Sequence, residues 1–252
     1  MRERILTIGG AGSGKSTAWI RLAQRFKDST FYVIDTQLSA ERSLEEYPSV
    51  NNVEVYTAID WSDYRDAQRK IEAKCKEGDW VVVDMVDMAW SAVQRGFVSE
   101  IFGQDMGDYY MEARKVLRAK GDVDKKGKQI KSIFDGETLR GWVDWVVINK
   151  QYEDFVFSLV YRIPANLYMT AMANPVSEDD EREVRELYGP YGLKPAGQKA
   201  LAHQPDTVLL LAHPERDRWT YTTIKDRGGR KYHERAPLMN FALQYGVIAG
   251  WK

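Results

Sequence analysis

Four residues near the start of the chain have types and a spacing that could bind phosphate. Gly9, Gly14, Lys15 and Ser16 match the pattern G-x-x-x-x-G-K-[ST] within TIGGAGSGKST. Glycines let backbone N–H groups close around a β-phosphate, and the N-terminus of a following helix adds its positive dipole. The lysine would reach the β- and γ-phosphates, and the serine hydroxyl would ligate Mg²⁺. The predicted nucleoside triphosphate site comprises Gly9, Gly10, Ala11, Gly12, Ser13, Gly14, Lys15, Ser16 and Thr17.

Two aspartates could supply the carboxylates of such a site. The apolar run at 80–83 is typical of a strand buried on both faces, and it ends in Asp84. A carboxylate at the carboxyl edge of a parallel sheet can hold the magnesium shell, so Asp84 is predicted to bind Mg²⁺ together with Ser16. Asp87, three residues later, is either a helix-capping residue or a second catalytic carboxylate, and the capping role is favoured.

A segment in the second half of the chain has part of a guanine-reading motif. The sequence reads NKQY at 149–152, so Tyr152 stands where an aspartate would pair with the guanine edge. Without that aspartate a guanine-specific site is disfavoured. Asn149 and Lys150 are instead predicted to lie on a helix.

The hydrophobic pattern predicts strands and helices in alternation. Apolar runs predict strands at 4–8, 31–36, 53–57, 80–83, 165–170, 206–213 and 219–226. Helical spacing predicts helices at 15–26, 41–46, 61–76 and 142–160, and a loop with one helix is expected at 176–204. This alternation indicates an α/β fold with a mostly parallel central sheet flanked by helices on both faces. We predict one domain over residues 1–252, with an insertion at about 97–141 that carries a mobile loop.

The composition limits the partners and the compartment. The 252 residues include 36 basic and 37 acidic side chains, a formal net charge of −1, so no global field attracts nucleic acid or an anionic membrane. The single cysteine, Cys75, fits a reducing compartment. No apolar run approaches the roughly 18 residues of a membrane span, and a strand follows the N-terminus directly, without room for a signal peptide. We expect a cytoplasmic protein, in the host cytoplasm if it is viral.

The three histidines indicate no metal site beyond magnesium. They are far apart in the sequence and have no cysteine partners at metal-binding spacing. These residues are His203, His213 and His233.

The order of three motifs resembles the core of the RecA-like P-loop ATPases. The motifs are FYVIDTQ after the first helix, WVVVD at the buried strand and TTIKDRGG near the end of the chain. Within that superfamily the chain is similar to compact, phage-type AAA-domain ATP-binding proteins, some of which act in single-strand annealing and recombination. The resemblance spans most of the chain. It implies a RecA-like fold, ATP and Mg²⁺ as ligands, and a homo-oligomer in the form of a ring or filament.

A late basic pair matches an element that acts between subunits in this superfamily. In RecA-like rings and filaments, a K-x-R element reaches the neighbouring subunit's nucleotide and stabilises charge developing on the γ-phosphate. Lys225 and Arg227 occupy these positions here, so the resemblance implies that they act in trans. The alternative is a basic hairpin turn in which Gly228 and Gly229 supply the bend.

The chain departs from the RecA-like pattern at the end of the second strand. Many members end this strand in I-D-T-E, and the glutamate orients the attacking water as a general base. The position here is Gln37, which can hold a water but cannot accept its proton. Hydrolysis is therefore expected to be slow unless another carboxylate, such as Asp87, serves. The predicted catalytic residues are Lys15, Gln37, Asp84 and Asp87.

Two basic segments are candidates for contact with single-stranded DNA, a partner that the resemblance suggests. Lysines can track phosphates, and Tyr188 or Tyr191 could stack on bases. Acidic residues near both segments interrupt any continuous positive stripe, and a solvated surface is the alternative for the first segment. The candidates are Lys126 and Lys128 in the first segment, and Lys194 and Lys199 in the second.

Two other functions begin from the same phosphate loop. A small-molecule or nucleotide kinase would need an arginine-bearing lid and an acceptor pocket, for which Arg114, Arg118 and Arg140 are candidates. A nucleotide-gated interaction protein with little hydrolysis is favoured by Gln37. Phosphate transfer to an acceptor would distinguish the kinase from the other two.

Overall fold

The strands and helices alternate along the chain, as predicted. The computed structural model describes residues 2–119, 141–227 and 234–238. Its strands are β1 (Arg4–Gly9), β2 (Phe31–Asp35), β3 (Val53–Thr57), β4 (Trp80–Asp84), β5 (Asn166–Pro175), β6 (Leu193–Pro195), β7 (Thr207–Glu215), β8 (Arg218–Asp226) and β9 (Ala236–Pro237). Its α-helices are α1 (Lys15–Arg25), α2 (Ala40–Glu45), α3 (Trp61–Lys74), α4 (Val86–Phe102), α5 (Met106–Ala119), α6 (Gly141–Phe157) and α7 (Arg182–Tyr188).

One sheet joins the described strands. Its order is β3-β2-β4-β5-β1-β7-β8-β9, with β6 paired to β5 outside that path. Strands β1 to β5 and β7 are parallel, whereas β6, β8 and β9 pair antiparallel with their neighbours. Parallel strands bring their carboxyl ends to a common edge, the place where ligands bind in open α/β sheets. We call it the carboxyl edge, and it carries Gly9, Asp35 and Asp84.

Helices cover both faces of the sheet. Leu6 and Ile8 of β1 belong to the core that includes α3, α4 and α6, whereas Ile5 belongs to the core that includes α1. Successive strand side chains point to opposite faces, so a strand covered on both sides is apolar throughout. All five residues of β4 are buried, as its sequence WVVVD predicts. The predicted mostly parallel sheet flanked by helices is therefore confirmed.

Two helices lie where the sequence pattern loosens. Helix α4 ends at Phe102, where Gly103 takes a left-handed φ of 65°, and α5 follows after a short connection. The buried face of α4 includes the small residues Ala89 and Ala92. Gly96 lies so close to Trp61 that an added Cβ would come within 2.9 Å of the Trp61 Cβ. The predicted insertion at 97–141 thus begins within α4, and its basic loop lies outside the described residues.

Strand β5 and the end of α6 differ from their predicted bounds. Residues 173–175 of β5 pair with β6, which extends the strand beyond its predicted end at Thr170. Helix α6 continues into a wide helical turn over Ser158–Arg162.

No helix among the described residues is long and apolar enough to span a membrane.

Candidate phosphate-binding site

The predicted phosphate loop connects β1 to α1 at the carboxyl edge. Gly12 and Gly14 have left-handed φ angles of 70° and 88°, which side-chain-bearing residues rarely adopt. Gly9 is restricted by space instead, because a Cβ there would lie 2.5 Å from the carbonyl oxygen of Leu211. The residue types of the loop therefore follow from its backbone geometry.

Lys15 lies across the mouth of the loop. Its Nζ donates hydrogen bonds to the carbonyl oxygens of Gly9 and Gly10, at 2.9 and 2.8 Å. The residue is only 8% exposed. Burial lowers the pKa of Lys15, while the carboxylates of Asp84 and Asp87 oppose that shift. The Lys15 ammonium group is thus bonded to neutral carbonyl oxygens of the loop. A phosphate bound at the loop would need a cation at this position.

Asp84 joins three elements of the site. Its Oδ2 accepts hydrogen bonds from Ser16 Oγ at 2.7 Å and from Trp19 Nε1 at 2.9 Å. Its Oδ1 accepts one from Thr170 Oγ1 at 2.5 Å. The predicted magnesium ligands Ser16 and Asp84 are therefore in direct contact.

The sequence prediction missed Trp19 and Thr170, although each had a signal. Trp19 follows Ser16 by three residues, which places both side chains on one face of α1. Thr170 is a polar residue within the buried strand β5. Its position next to Asp84 depends on the pairing of β4 with β5, where Val83 is opposite Met169. That pairing joins residues more than 80 positions apart and is not evident from the sequence.

Asp87 does not cap its helix in the predicted way. The N-cap of α4 is Met85, and Asp87 is the second residue of the helix. Its Oδ1 is buried without a hydrogen-bond partner among the described residues. Burial raises the pKa of Asp87. Hydrogen bonds to the carboxylate from the backbone of Asp87 and Met172, and the charge of Lys15, oppose this shift. The favoured capping role was therefore wrong.

Gln37 lines a cavity at the phosphate loop. The cavity has a volume of about 520 Å³ and is lined by loop residues 11–17 together with Gln37, Asp84, Met85, Met172 and Trp219. Gln37 is exposed, and its backbone N–H donates to Asp35 Oδ1 at 3.1 Å. The structure thus places Lys15, Gln37 and Asp84 around one space.

A second cavity adjoins the first. It has a volume of about 390 Å³ and shares Gly14, Thr17 and Trp219 with the first cavity, and its lining also includes Tyr47. Trp219 Nε1 donates to the carbonyl oxygen of Gly12 at 2.8 Å, and its ring stacks on His213 with centroids 4.2 Å apart. The sequence prediction placed neither Trp219 nor Tyr47 at the loop, because strand pairing and chain folding bring them there.

Lys225 and Arg227 lie at the opposite edge of the sheet from the phosphate loop. The backbone N–H of Arg227 donates to Asp206, and that of Asp206 donates to Arg4, the first residue of β1. Arg4 and Gly9 are five residues apart, a distance of about 17 Å along a strand. The structure therefore does not bring this basic pair to the phosphate loop of its own chain.

The side chains of the basic pair contact residues of the same chain. Lys225 Nζ and Arg227 Nη2 both donate to the carbonyl oxygen of His203, at 2.9 and 3.0 Å, and Arg227 also forms an ion pair with Asp206 at 3.6 Å. Burial, followed by the charge of Arg227, lowers the pKa of Lys225 to about 8. The glycines of the alternative hairpin turn, Gly228 and Gly229, lie outside the described residues.

The structure describes two of the four lysines that the sequence predicts to contact DNA. Lys194 forms an ion pair with Asp180, and Lys199 is exposed at the start of a short helical turn. Tyr188 is fully buried and donates to the carbonyl oxygen of Ala202 at 2.9 Å, so it cannot stack on bases. Tyr191 is partly exposed. Lys126 and Lys128 lie outside the described residues.

Tyr152 occupies a helix core rather than a base-reading loop. It is buried in α6 and packs edge-on against Trp90, with ring centroids 5.3 Å apart. Asn149 and Lys150 lie on the same helix, as predicted. In the described part of the chain, no group of three or more His, Cys, Asp or Glu residues could hold a metal ion.

The fold and the site define an α/β protein with a glycine-rich loop, the predicted phosphate loop, between its first strand and first helix. No protein-family model matches the sequence, and no curated protein matches it. Solved structures do match, and one of them is the crystal structure of the RadB recombinase. The two chains are 10% identical and superpose with a TM-score of 0.47, over 94% of this chain and 84% of the recombinase chain.

Proposed function

We propose that the protein is a RecA-like, Mg²⁺-dependent ATPase that acts in DNA recombination or single-strand annealing as a homo-oligomer. The resemblance of its motifs to phage-type AAA-domain proteins supports the finer assignment. The observation that carries the proposal is the contact of 2.7 Å between the Ser16 hydroxyl and the Asp84 carboxylate, beside buried Lys15. These groups supply hard oxygen ligands and a cation at the carboxyl edge, where open α/β sheets bind ligands.

The residues of the site fit a magnesium–triphosphate complex. Ser16 and Asp84 would hold Mg²⁺, an ion commonly bound through one or two carboxylates together with substrate phosphates. Mg²⁺ would neutralise charge on the β- and γ-phosphates when bound. Trp19 and Thr170 orient the Asp84 carboxylate through their hydrogen bonds. Lys15 would exchange its carbonyl acceptors for phosphate oxygens.

The second cavity is the proposed site of the nucleotide base. It shares Gly14, Thr17 and Trp219 with the first cavity, which the predicted phosphate loop lines, so a nucleotide could occupy both spaces at once. Trp219 and Tyr47 line this cavity, and a purine can stack on an aromatic ring. Trp219 is also anchored to the loop through the carbonyl of Gly12.

Trp219→Ala should weaken ATP binding by about 3- to 10-fold, the magnitude of one lost aromatic stack. Isothermal titration calorimetry would compare ATP with inorganic triphosphate, which has no base to stack. Trp219→Phe is the matched control and should retain most of the affinity for ATP. Equal losses for ATP and triphosphate would contradict the base assignment and indicate a disturbed phosphate loop.

Asp87 is the proposed general base, because Gln37 cannot accept a proton from the attacking water. The Asp87 carboxylate lies near Lys15, has a buried oxygen without a hydrogen-bond partner among the described residues, and has a raised pKa. A base whose pKa is closer to neutral accepts a proton more effectively than an ordinary carboxylate. Gln37 would hold the water by hydrogen bonds.

Asp87→Asn is expected to lower the ATPase turnover number by about 10²-fold or more while ATP still binds. The wild-type rate should also fall as the pH is lowered toward the Asp87 pKa, because protonation removes the base. This limb of the pH profile should be absent from any residual activity of the variant. The exposed Asp179 supplies the control variant Asp179→Asn. Unchanged turnover in Asp87→Asn would reject this role.

Lys225 and Arg227 are proposed to act on the nucleotide of a neighbouring subunit. They lie at the edge of the sheet opposite the phosphate loop, so a head-to-tail assembly would bring this edge of one subunit to the carboxyl edge of the next. Such heterologous contacts generate rings or filaments. Arg227 would then exchange its bond to Asp206 for one to the γ-phosphate.

ATP turnover and oligomeric state, each measured with and without single-stranded DNA, test the proposed function. Stimulation of turnover together with assembly is the expected result. Phosphate transfer to a nucleoside or metabolite would instead favour a kinase. ATP binding that changes assembly with little hydrolysis would favour a nucleotide-gated interaction protein, the function that Gln37 also fits.

A further inference from the structure

A polar groove lies between α3 and α6, on the face of the sheet opposite α1. It encloses about 490 Å³, and we call it the α3–α6 groove. Its lining includes four cationic side chains and two neutral amides that can donate hydrogen bonds. They are Arg65, Arg69, Lys150, Arg162, Gln68 and Gln151. None of these residues belongs to the nucleotide site or to the DNA contacts predicted from the sequence.

The groove has an excess of positive charge. Its carboxylates are Glu72 and Asp154. Asp154 pairs with Lys150, and Glu72 accepts hydrogen bonds from Gln68 and Ser158. Arg69 pairs with the neighbouring Asp66.

Two arginines of the groove are available to a ligand. Arg65 and Arg162 are exposed, and neither forms an ion pair within the described part of the chain. The ion pairs of Arg69 and Lys150 are solvent-exposed and therefore weak, so these cations could also turn to an anion. An anionic ligand would find uncompensated cations here.

An exposed pair of aromatic rings adjoins the groove. Phe157 and Tyr161 are 47% and 53% exposed, and their ring centroids are 4.7 Å apart. The Arg162 guanidinium lies 5.7 Å from the Phe157 ring centroid, and that of Arg4 lies 5.5 Å from the Tyr161 ring centroid. Arg162 belongs to both the groove and the aromatic pair, so the two features form one surface.

We propose that this surface binds single-stranded nucleic acid. Phosphates would contact Arg65 and Arg162, and unpaired bases would stack on Phe157 and Tyr161. Proteins that bind single strands combine a positive groove with aromatic stacking surfaces and with arginine cation–π contacts. A duplex keeps its bases stacked on one another and could use only the charges. The inference rests on the proposed function and adds the surface where the nucleic-acid partner of the ATPase would bind.

The test is fluorescence anisotropy with a labelled thymidine oligonucleotide, in the absence of nucleotide. Phe157→Ala and Tyr161→Ala should each weaken binding by about 5- to 150-fold, the range for one lost base stack. Arg65→Ala/Arg162→Ala should reduce the slope of log affinity against log salt by about 1.4, since each single-strand phosphate contact contributes about 0.7. Circular dichroism would verify that each variant is folded.

Controls separate this surface from general charge and from the ATPase site. Arg42→Ala/Arg182→Ala removes two exposed arginines elsewhere and should bind the oligonucleotide like the wild type. Lys15→Ala should retain oligonucleotide binding although its ATP turnover falls. ATP turnover therefore tests the ATPase proposal, and oligonucleotide binding tests the groove separately. The inference is overturned if the groove and aromatic variants bind like the wild type, or if the arginine control loses as much affinity. Equal affinity for duplex and single strand, or displacement by polyglutamate as effective as by unlabelled oligonucleotide, would also overturn it.

Discussion

Lys15→Ala is expected to lower ATP turnover by at least about 10²–10³-fold, the range for removing one charge-stabilising group from a transition state. Lys15 is the cation at the loop mouth, and the carboxylates of Asp84 and Asp87 lie near enough to influence its pKa. Without the ammonium group, a triphosphate would meet these carboxylates with less positive charge between them. ATP affinity should therefore fall together with turnover.

Calorimetric titration with ATP and a phosphate-release assay would measure both effects. Lys27 is an exposed lysine beyond the end of α1, and Lys27→Ala is the matched control that should leave both quantities unchanged. A Lys15→Ala protein that binds and hydrolyses ATP like the wild type would contradict the whole nucleotide-site proposal. A loss confined to turnover would contradict the expected part of Lys15 in binding.

Arg227→Ala should lower turnover by about 10³-fold or more if the residue acts as an arginine finger in trans, while the affinity for ATP stays near that of the wild type. Arg227 lies at the opposite edge of the sheet from the phosphate loop and contacts His203 and Asp206 of its own chain. Its removal therefore leaves the loop and the proposed magnesium ligands intact. Turnover per subunit in the wild type should rise with protein concentration.

Mixing Arg227→Ala with Lys15→Ala gives the sharpest test of action in trans. In a head-to-tail assembly, a subunit with an intact loop can lie beside a subunit with an intact arginine. Random mixing of equal amounts should restore about a quarter of the wild-type sites. Neither variant alone would be active, and no restoration in assemblies that contain both would reject the trans role.

Two further variants separate the loss of Arg227 from general effects. Asp206→Asn removes the charge that pairs with Arg227 and with Arg4 but keeps both arginines, so it should retain activity. Arg182→Ala removes an exposed arginine of α7 that pairs with Glu186, and it should change nothing. Loss of ATP binding together with hydrolysis in Arg227→Ala would indicate a structural role for that residue.

Helices α4 and α5, whose extent the sequence did not predict, show where pattern reading fails. Helix α4 contains Gly96, which a propensity argument counts against a helix. The structure uses that glycine for close contact with Trp61 of α3. The contact between α4 and α3 therefore accounts for a helix that the local sequence does not favour. Strand β4 was evident from the sequence, because burial on both faces requires an unbroken apolar run.

Asp87 and Tyr188 show the same limit for side chains. The sequence favoured a capping role for Asp87 and allowed base stacking by Tyr188, because both roles use local chemistry. The structure makes Asp87 the second residue of α4 and buries Tyr188 completely. Exposure depends on what packs over a residue, and that information is not local.

The sequence by itself determined the glycine-rich loop after β1 and the buried strand that ends in Asp84. The loop is one contiguous segment, and its backbone requires glycine at positions 12 and 14. Asp84 ends an unbroken apolar run, the pattern expected of a strand buried on both faces. The tertiary structure alone decided which distant residues join them. Strand order and register bring Thr170 and Trp219 to the loop, keep Arg227 at the opposite edge, and assemble the α3–α6 groove from two helices far apart in the chain. Contacts of this kind depend on pairing between remote segments, which a single sequence does not specify.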